Sequence, residues 1–310
     1  MPARAERVLR RVGNVSGDGA PRYHAWLSFR HAGGSDFLPS HQPLTASLAP
    51  LVALSGGRLA VVALAAFGGG VINALAGGGT LLTFPALIAA GMPALTANAT
   101  STVALVPGAL SSMWGYRREL SGARRWAVML FLPSILGGIS GAWLLLHTPV
   151  STFSQIVPWL VLGATALFVA QPRLVRWIRT HDTATDDVAL TNRGPTPALL
   201  AWQFLIGVYG GYFGAGVGIL MLAALGFMGF SNIHRMNGLK NWGGFCMNMV
   251  AAITFAVSGI VDWPVALLMA ASATVGGYFG SKGAQRLPKS YVRAAVAVIG
   301  FTSGIWLLMR

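Results

Sequence analysis

The chain has 310 residues, of which 54% are hydrophobic and only 10% charged, with a mean hydropathy of +0.62. A water-soluble domain carries roughly 25% charged residues, so this composition cannot cover a water-facing surface and points to a polytopic membrane protein. The formal charge of +14 does not indicate nucleic acid, because the basic residues sit in the N-terminal tail and short loops rather than on one aromatic-interleaved face.

Residues 1–57 form a basic tail. It holds Arg4, Arg7, Arg10, Arg11, Arg22 and Arg30 among many Ser, Gly and Pro, and lacks a long apolar run. It reads as disordered, and no signal-peptide core with a small-residue cleavage site is evident in it. Membrane repeat 1 follows over 58–172, a soft cytoplasmic linker over 173–197, and membrane repeat 2 over 198–310. The linker's Asp182, Asp186 and Asp187 read as a solvated charge run and not a metal cluster. Cys246 is the only cysteine, which rules out an internal disulfide and any multi-cysteine metal site.

The two halves correspond. Gly70, Gly77 and Gly79 match Gly207, Gly214 and Gly216 at an offset of 137, and Gly137, Gly138, Gly141 and Pro149 match Gly276, Gly277, Gly280 and Pro288 at an offset of 139. Each half reads as five apolar segments: about 58–76, 79–91, 98–116, 126–146 and 156–172, then about 198–214, 216–230, 236–258, 264–281 and 291–309. The first two of each half are short and meet at glycines, as expected of a broken hairpin. The expected fold is therefore all-α, with roughly 8–10 membrane segments. An odd number of crossings per half makes the repeats inverted in topology.

Loop charge supports inversion. Arg117, Arg118, Arg124 and Arg125 flank one connection whose second-half counterpart holds only Asp262. Lys282, Arg286, Lys289 and Arg293 surround a loop whose first-half counterpart, 147–156, has no lysine or arginine. Positive loops face the cytoplasm, so equivalent loops lie on opposite sides. The basic tail then falls on the outer side, against the same rule, unless an element near 44–54 returns it.

In each half a polar patch follows the glycine-rich break. The first comprises Asn98, Thr100, Ser101 and Thr102, the second Asn237, Gly238, Lys240 and Asn241. Freed N–H groups at a helix start bind anions without a charged side chain, and hydroxyls and amides complete the shell. The candidate substrate-binding set is Gly77, Gly78, Gly79, Thr80, Asn98, Thr100, Ser101, Gly214, Gly216, Asn237, Lys240 and Asn241, with the two patches expected to face each other near the membrane centre. Lys240 stands out, since a charge inside an apolar segment is a functional hypothesis by default. Gly137/Gly141, Gly207/Gly211 and Gly276/Gly280 have the four-residue spacing of close helix packing. No Asp or Glu lies well inside a span, and no HExxH or nucleophile–base pairing occurs, so catalytic and metal sites are not expected, and neither is a cofactor.

The opening "GGGVINALAGGGTLLTFPALIAAGMPALTANATS", its echo "GVYGGYFGAGVGILMLAALGFMGFSNIHRMNGLKN", and the later "GGISG" and "GGYFG" resemble the sulfite exporter TauE/SafE family, also called the toluenesulfonate uptake permeases. The resemblance covers roughly residues 60–309. It implies a bacterial inner-membrane carrier for sulfite, sulfonates or related anions, with Gly77–Gly79, Thr100, Ser101, Gly214, Gly216 and Lys240 as the positions carried over. The second copy departs from the family's small-Gly-Thr-Ser run, reading Asn237-Gly238-Leu239-Lys240. The expected partners are a small anion and the lipid bilayer, not nucleic acid. An anion channel, or a membrane enzyme or assembly factor without transport activity, are the alternatives.

Overall fold

A computed structural model describes residues 56–75, 77–181, 194–230, 232–282 and 289–309. Nearly all of the tail and the centre of the linker, with its three aspartates, lie outside the described residues. Among the described residues every regular element is a helix: α1 (Gly56–Leu75), α2 (Thr80–Ala89), α3 (Ala94–Gly115), α4 (Arg117–Ser121), α5 (Arg124–His147) and α6 (Val150–His181). After the linker come α7 (Pro197–Tyr212), α8 (Val217–Phe227), α9 (Ile233–Ser258), α10 (Trp263–Lys282) and α11 (Lys289–Leu308). The expected segments are all present. The short α4 was not anticipated, and α6 continues beyond Pro172 to His181.

Local chemistry explains several boundaries. Thr196 caps α7 by accepting from the Leu199 amide, with Pro197 in the first turn, where a missing N–H costs nothing. Asn232 caps α9 by accepting from the His234 and Arg235 amides. Gly259 ends α9 in the left-handed conformation, the usual glycine stop.

Among the described residues three helical stretches, Gly56–Ala74, Arg124–His147 and Val150–Arg173, are long and apolar enough to cross a bilayer. α2 and α8, of 10 and 11 residues, reach only about half-way at 1.5 Å per residue. Large apolar side chains face outward, among them Leu64, Trp114, Trp159, Val257 and Leu267. In water such a surface would aggregate; against acyl chains it is the favourable arrangement.

The tightest packing crosses between the halves: α1 lies on α10 and α5 on α7, while α10 also meets α3 and α9 also meets α5. Small residues allow this. A Cβ on Gly141 would stand 2.0 Å from the Val208 carbonyl oxygen, and one on Gly276 would stand 2.0 Å from that of Phe67. Backbones this close maximise dispersion contact where lipid removes the usual hydrophobic drive between helices. Two contacts fix the ends of the bundle. A Cβ at Gly122 would stand 3.8 Å from Arg235 Nη2, and one at Gly194 would stand 3.3 Å from Arg125 Nε. The arginine-rich connection, the end of the linker and the start of α9 therefore gather at one end. Thr100, near the start of α3, accepts from the Asp262 amide at 3.1 Å, so the α9–α10 connection lies at the other end.

Candidate functional site

The chain unwinds twice within the apolar interior. After α1, Gly77 adopts φ +77°, and its amide donates to the Ile72 and Asn73 carbonyls at 3.2 and 3.1 Å. After α7, Phe213 and Gly214 both donate to Tyr209 O, and Gly216 reaches φ +73° as the N-cap of α8, with no side-chain cap. These conformations admit glycine readily and penalise residues with a Cβ. The two breaks meet. A Cβ at Gly77 would lie 2.7 Å from the Gly218 Cα, so the first break abuts the first turn of α8.

α9 passes beside this crossing. Trp242 anchors it by donating from Nε1 to the Ala127 carbonyl of α5 at 2.8 Å. Residues 240, 244 and 248 recur every four positions on one face, with 241 alongside. That face closes a small cavity lined by Asn73, Gly77, Gly218, Lys240, Asn241 and Asn248. About 20 Å³ is open to the centres of water-sized molecules, room for a water or a small ion.

The electrostatics of this cavity are one-sided. Lys240 is 2% exposed and Asn241 7%, and neither Lys240 Nζ nor Asn241 Nδ2 has a hydrogen-bond partner. No carboxylate lines the cavity. Val217 and Gly218, in the first turn of α8, add the partial positive charge of a helix start. Two buried donors, one of them cationic, thus border the cavity without a hydrogen-bond partner. Buried polar groups are nearly always paired, which makes these two donors the candidate contacts for an acceptor.

The other residues anticipated from sequence are placed differently. Gly79 has an ordinary helical conformation; its hydrogen faces the Gly69 carbonyl, 2.5 Å from where a Cβ would stand, which is a packing contact. Gly78 abuts the Phe168 ring, and Thr80 begins α2 in a buried position. Gly214 lies near Asn248, whose Oδ1 is 3.6 Å from the position of a Cβ, and Gly216 lies against Ala164. Ser101 Oγ hydrogen-bonds Thr83 Oγ1 at 2.6 Å. Asn98 Nδ2 donates to Tyr212 O at 3.0 Å, leaving Oδ1 without a partner. Asn237 Oδ1 is also buried without one. Gly77, Lys240 and Asn241 are therefore brought together, whereas Asn98, Thr100 and Ser101 do not line this cavity. The sequence-derived set omits Gly218, Asn73 and Asn248. The signal for the asparagines was available, namely amides in apolar segments; that for Gly218 was a glycine just after a break.

Near the α9–α10 connection, burial pushes the Asp262 carboxyl above its ordinary range, partly opposed by the Val265 amide that it accepts. Among the described residues no three His, Cys, Asp or Glu side chains cluster as a metal site.

The family description "Sulfite exporter TauE/SafE" matches residues 62–307. A probable membrane transporter protein of Haemophilus influenzae is 29% identical over 246 residues, covering 78% of this chain and 91% of its own. The probable membrane transporter protein ORF9 of Sinorhizobium sp is 28% identical, covering 81% and 92%, and the probable membrane transporter protein YfcA of Escherichia coli K12 is 28% identical, covering 77% and 85%. No solved structure matches. The family match and these relatives, with the apolar helices, indicate a multi-pass membrane transporter.

Proposed function

Because the chain belongs to the sulfite exporter TauE/SafE family, we propose that it is a secondary carrier of a small anion, such as sulfite, a sulfonate or a related organic anion, in the bacterial inner membrane. The observation that carries this reading is the pair of unpartnered donors, Lys240 Nζ and Asn241 Nδ2, at the cavity where the two chain breaks cross. An anionic oxygen supplies what both lack. Charge-assisted hydrogen bonds are the strong ones, and Lys240 with the start of α8 provides the positive potential. The chain carries no nucleotide-binding motif, so an ion gradient or the anion's own gradient drives the movement.

The reading includes two inverted repeats. It is supported by the exchange of partners between halves, α1 on α10 and α5 on α7, and by the opposite ends at which the arginine-rich connection and the Asp262 connection lie. The two half-length helices then act as the broken elements that place a midplane site in carriers of this kind.

The test is flux. Purified protein in proteoliposomes, offered radiolabelled sulfite, methanesulfonate and taurine in turn, is expected to show saturable counterflow for at least one of them. Non-saturating current would make the protein a channel, and no flux of any anion in the panel would remove the carrier reading.

A further inference from the structure

We propose that this cavity selects a compact oxyanion bearing a single negative charge and excludes its doubly charged counterpart; the inference rests on the anion-site reading above. The argument is a charge count. Among the described residues Lys240 is the only ionisable one lining the cavity. α9 packs on α3, α4, α5, α7 and α8. The ionisable groups these bring are Arg117, Arg118 and Glu119 in α4, Arg124 and Arg125 at one end of α5 with His147 at the other, and Tyr209 and Tyr212 in α7, with His234, Arg235 and Cys246 on α9 itself. None of them lines the cavity. Tyr209 of α7 has its hydroxyl committed to the Ala215 carbonyl at 2.6 Å. The formal charge available to a ligand is therefore one, plus the fraction of a charge contributed by the start of α8.

A singly charged ligand leaves the pair neutral. A dianion leaves most of a negative charge uncompensated beside a lysine that is itself buried, and burial of an unpaired charge is strongly unfavourable. The second donor refines the class. Asn241 Nδ2 beside Lys240 Nζ offers two hydrogen-bond directions, which suits a head group presenting two oxygens, such as a sulfonate, bisulfite or a carboxylate, better than a halide. Where the substrate is sulfite, the species bound is its protonated monoanion.

The experiment is calorimetric titration of the full-length protein in lipid nanodiscs with methanesulfonate, sulfate and chloride. Methanesulfonate and sulfate share a tetrahedral oxygen-bearing head but differ in charge, and neither charge titrates near neutrality. Methanesulfonate is expected to bind at least about tenfold more tightly than sulfate and more tightly than chloride, with Asn241→Leu narrowing the second preference. Sulfite affinity should fall more steeply than methanesulfonate affinity as pH rises through the second ionisation of sulfite. Sulfate binding as tightly as methanesulfonate would overturn the charge rule and leave the anion site standing. Binding of none of the three would overturn the anion site and the rule together. The comparison among ligands uses the unmodified protein, so it does not depend on a variant folding.

Discussion

Replacing Lys240 by methionine separates stability from function in one substitution. The side chain is 2% exposed and its Nζ has no hydrogen-bond partner. A buried ion carries an effective desolvation penalty of several kcal/mol, and apolar replacement of even well-paired buried ions has stabilised proteins by about 1–4 kcal/mol. Methionine keeps an unbranched stem of similar volume, so little cavity or overpacking cost offsets the gain. Lys240→Met should therefore stabilise the empty protein by about 1–4 kcal/mol. At about 2–4 °C per kcal/mol for a domain of comparable size, the melting midpoint should rise by at least a few degrees. Thermal unfolding in detergent, followed through the fluorescence of the ten tryptophans, reads this directly, and methanesulfonate titration on the same sample reads binding. Arg118→Met, at an exposed position, serves as the control and should move stability by no more than about 0.5 kcal/mol. Gain of stability with loss of binding is the expected pair. A lower midpoint with binding intact would refute the reasoning, because Lys240 would then be satisfied by the fold itself.

Three further outcomes follow from the geometry. Gly216→Ala should cost about 1 kcal/mol from its positive φ alone, since the nearest atoms to a new Cβ lie at 3.6 Å; Gly216→Asn should recover part of that midpoint, because asparagine tolerates the left-handed region. In a Cys246→Ser background, Ser121→Cys and Ser151→Cys, both at exposed positions, should react with impermeant thiol reagents from opposite sides of the membrane, position 121 from the cytoplasm; labelling from one side would remove the inverted arrangement. Asp262→Asn should melt above the unmodified protein at neutral pH. The raised carboxyl binds protons more readily in the folded state than in the unfolded one, so the unmodified protein gains stability as pH falls through that raised range. The gap between the two midpoints should close on acidification, and a gap constant with pH would show that burial of the charge is not what Asp262 contributes.

The helical class and the order of its segments were legible in the sequence because both rest on composition and on glycine and proline positions. The packing glycines were legible too, since their four-residue spacing is a property of one helix face. What one helix cannot encode is the crossing of two distant breaks. Sequence marked Gly77, Gly78 and Gly79 alike, and a run of three glycines does not say which one turns left-handed. The contact between Gly69 and Gly79 keeps Gly79 helical and leaves Gly77 to make the turn. Likewise the two polar patches follow equivalent breaks, which suggested that they meet. Thr100 instead lies at the Asp262 end, whereas Lys240 lies seven residues, about 10 Å, into α9 from the opposite end. A helix carries its residues at fixed height, so two patches entering from opposite ends do not converge unless both reach the centre.

That offset makes the two halves chemically unequal while their backbones remain comparable. At the offset of 139, Asn98 corresponds to Asn237 and Ser101 to Lys240. Both asparagines keep a buried Oδ1 without a partner, so the shared framework preserves an unfilled acceptor in each copy. Two and three positions on, the copies diverge. Thr100 is occupied at the Asp262 amide and Ser101 by Thr83 within its own half, and those hydroxyls are no longer free for a ligand. Lys240 has no such neighbour, and it borders the cavity to which the first half contributes Asn73 and Gly77. The charge comes from the second half of the chain and the unwound backbone beside it from the first. The proposed anion site is therefore single in each chain, because only one of the two corresponding positions carries a cation and only that one is left unpaired.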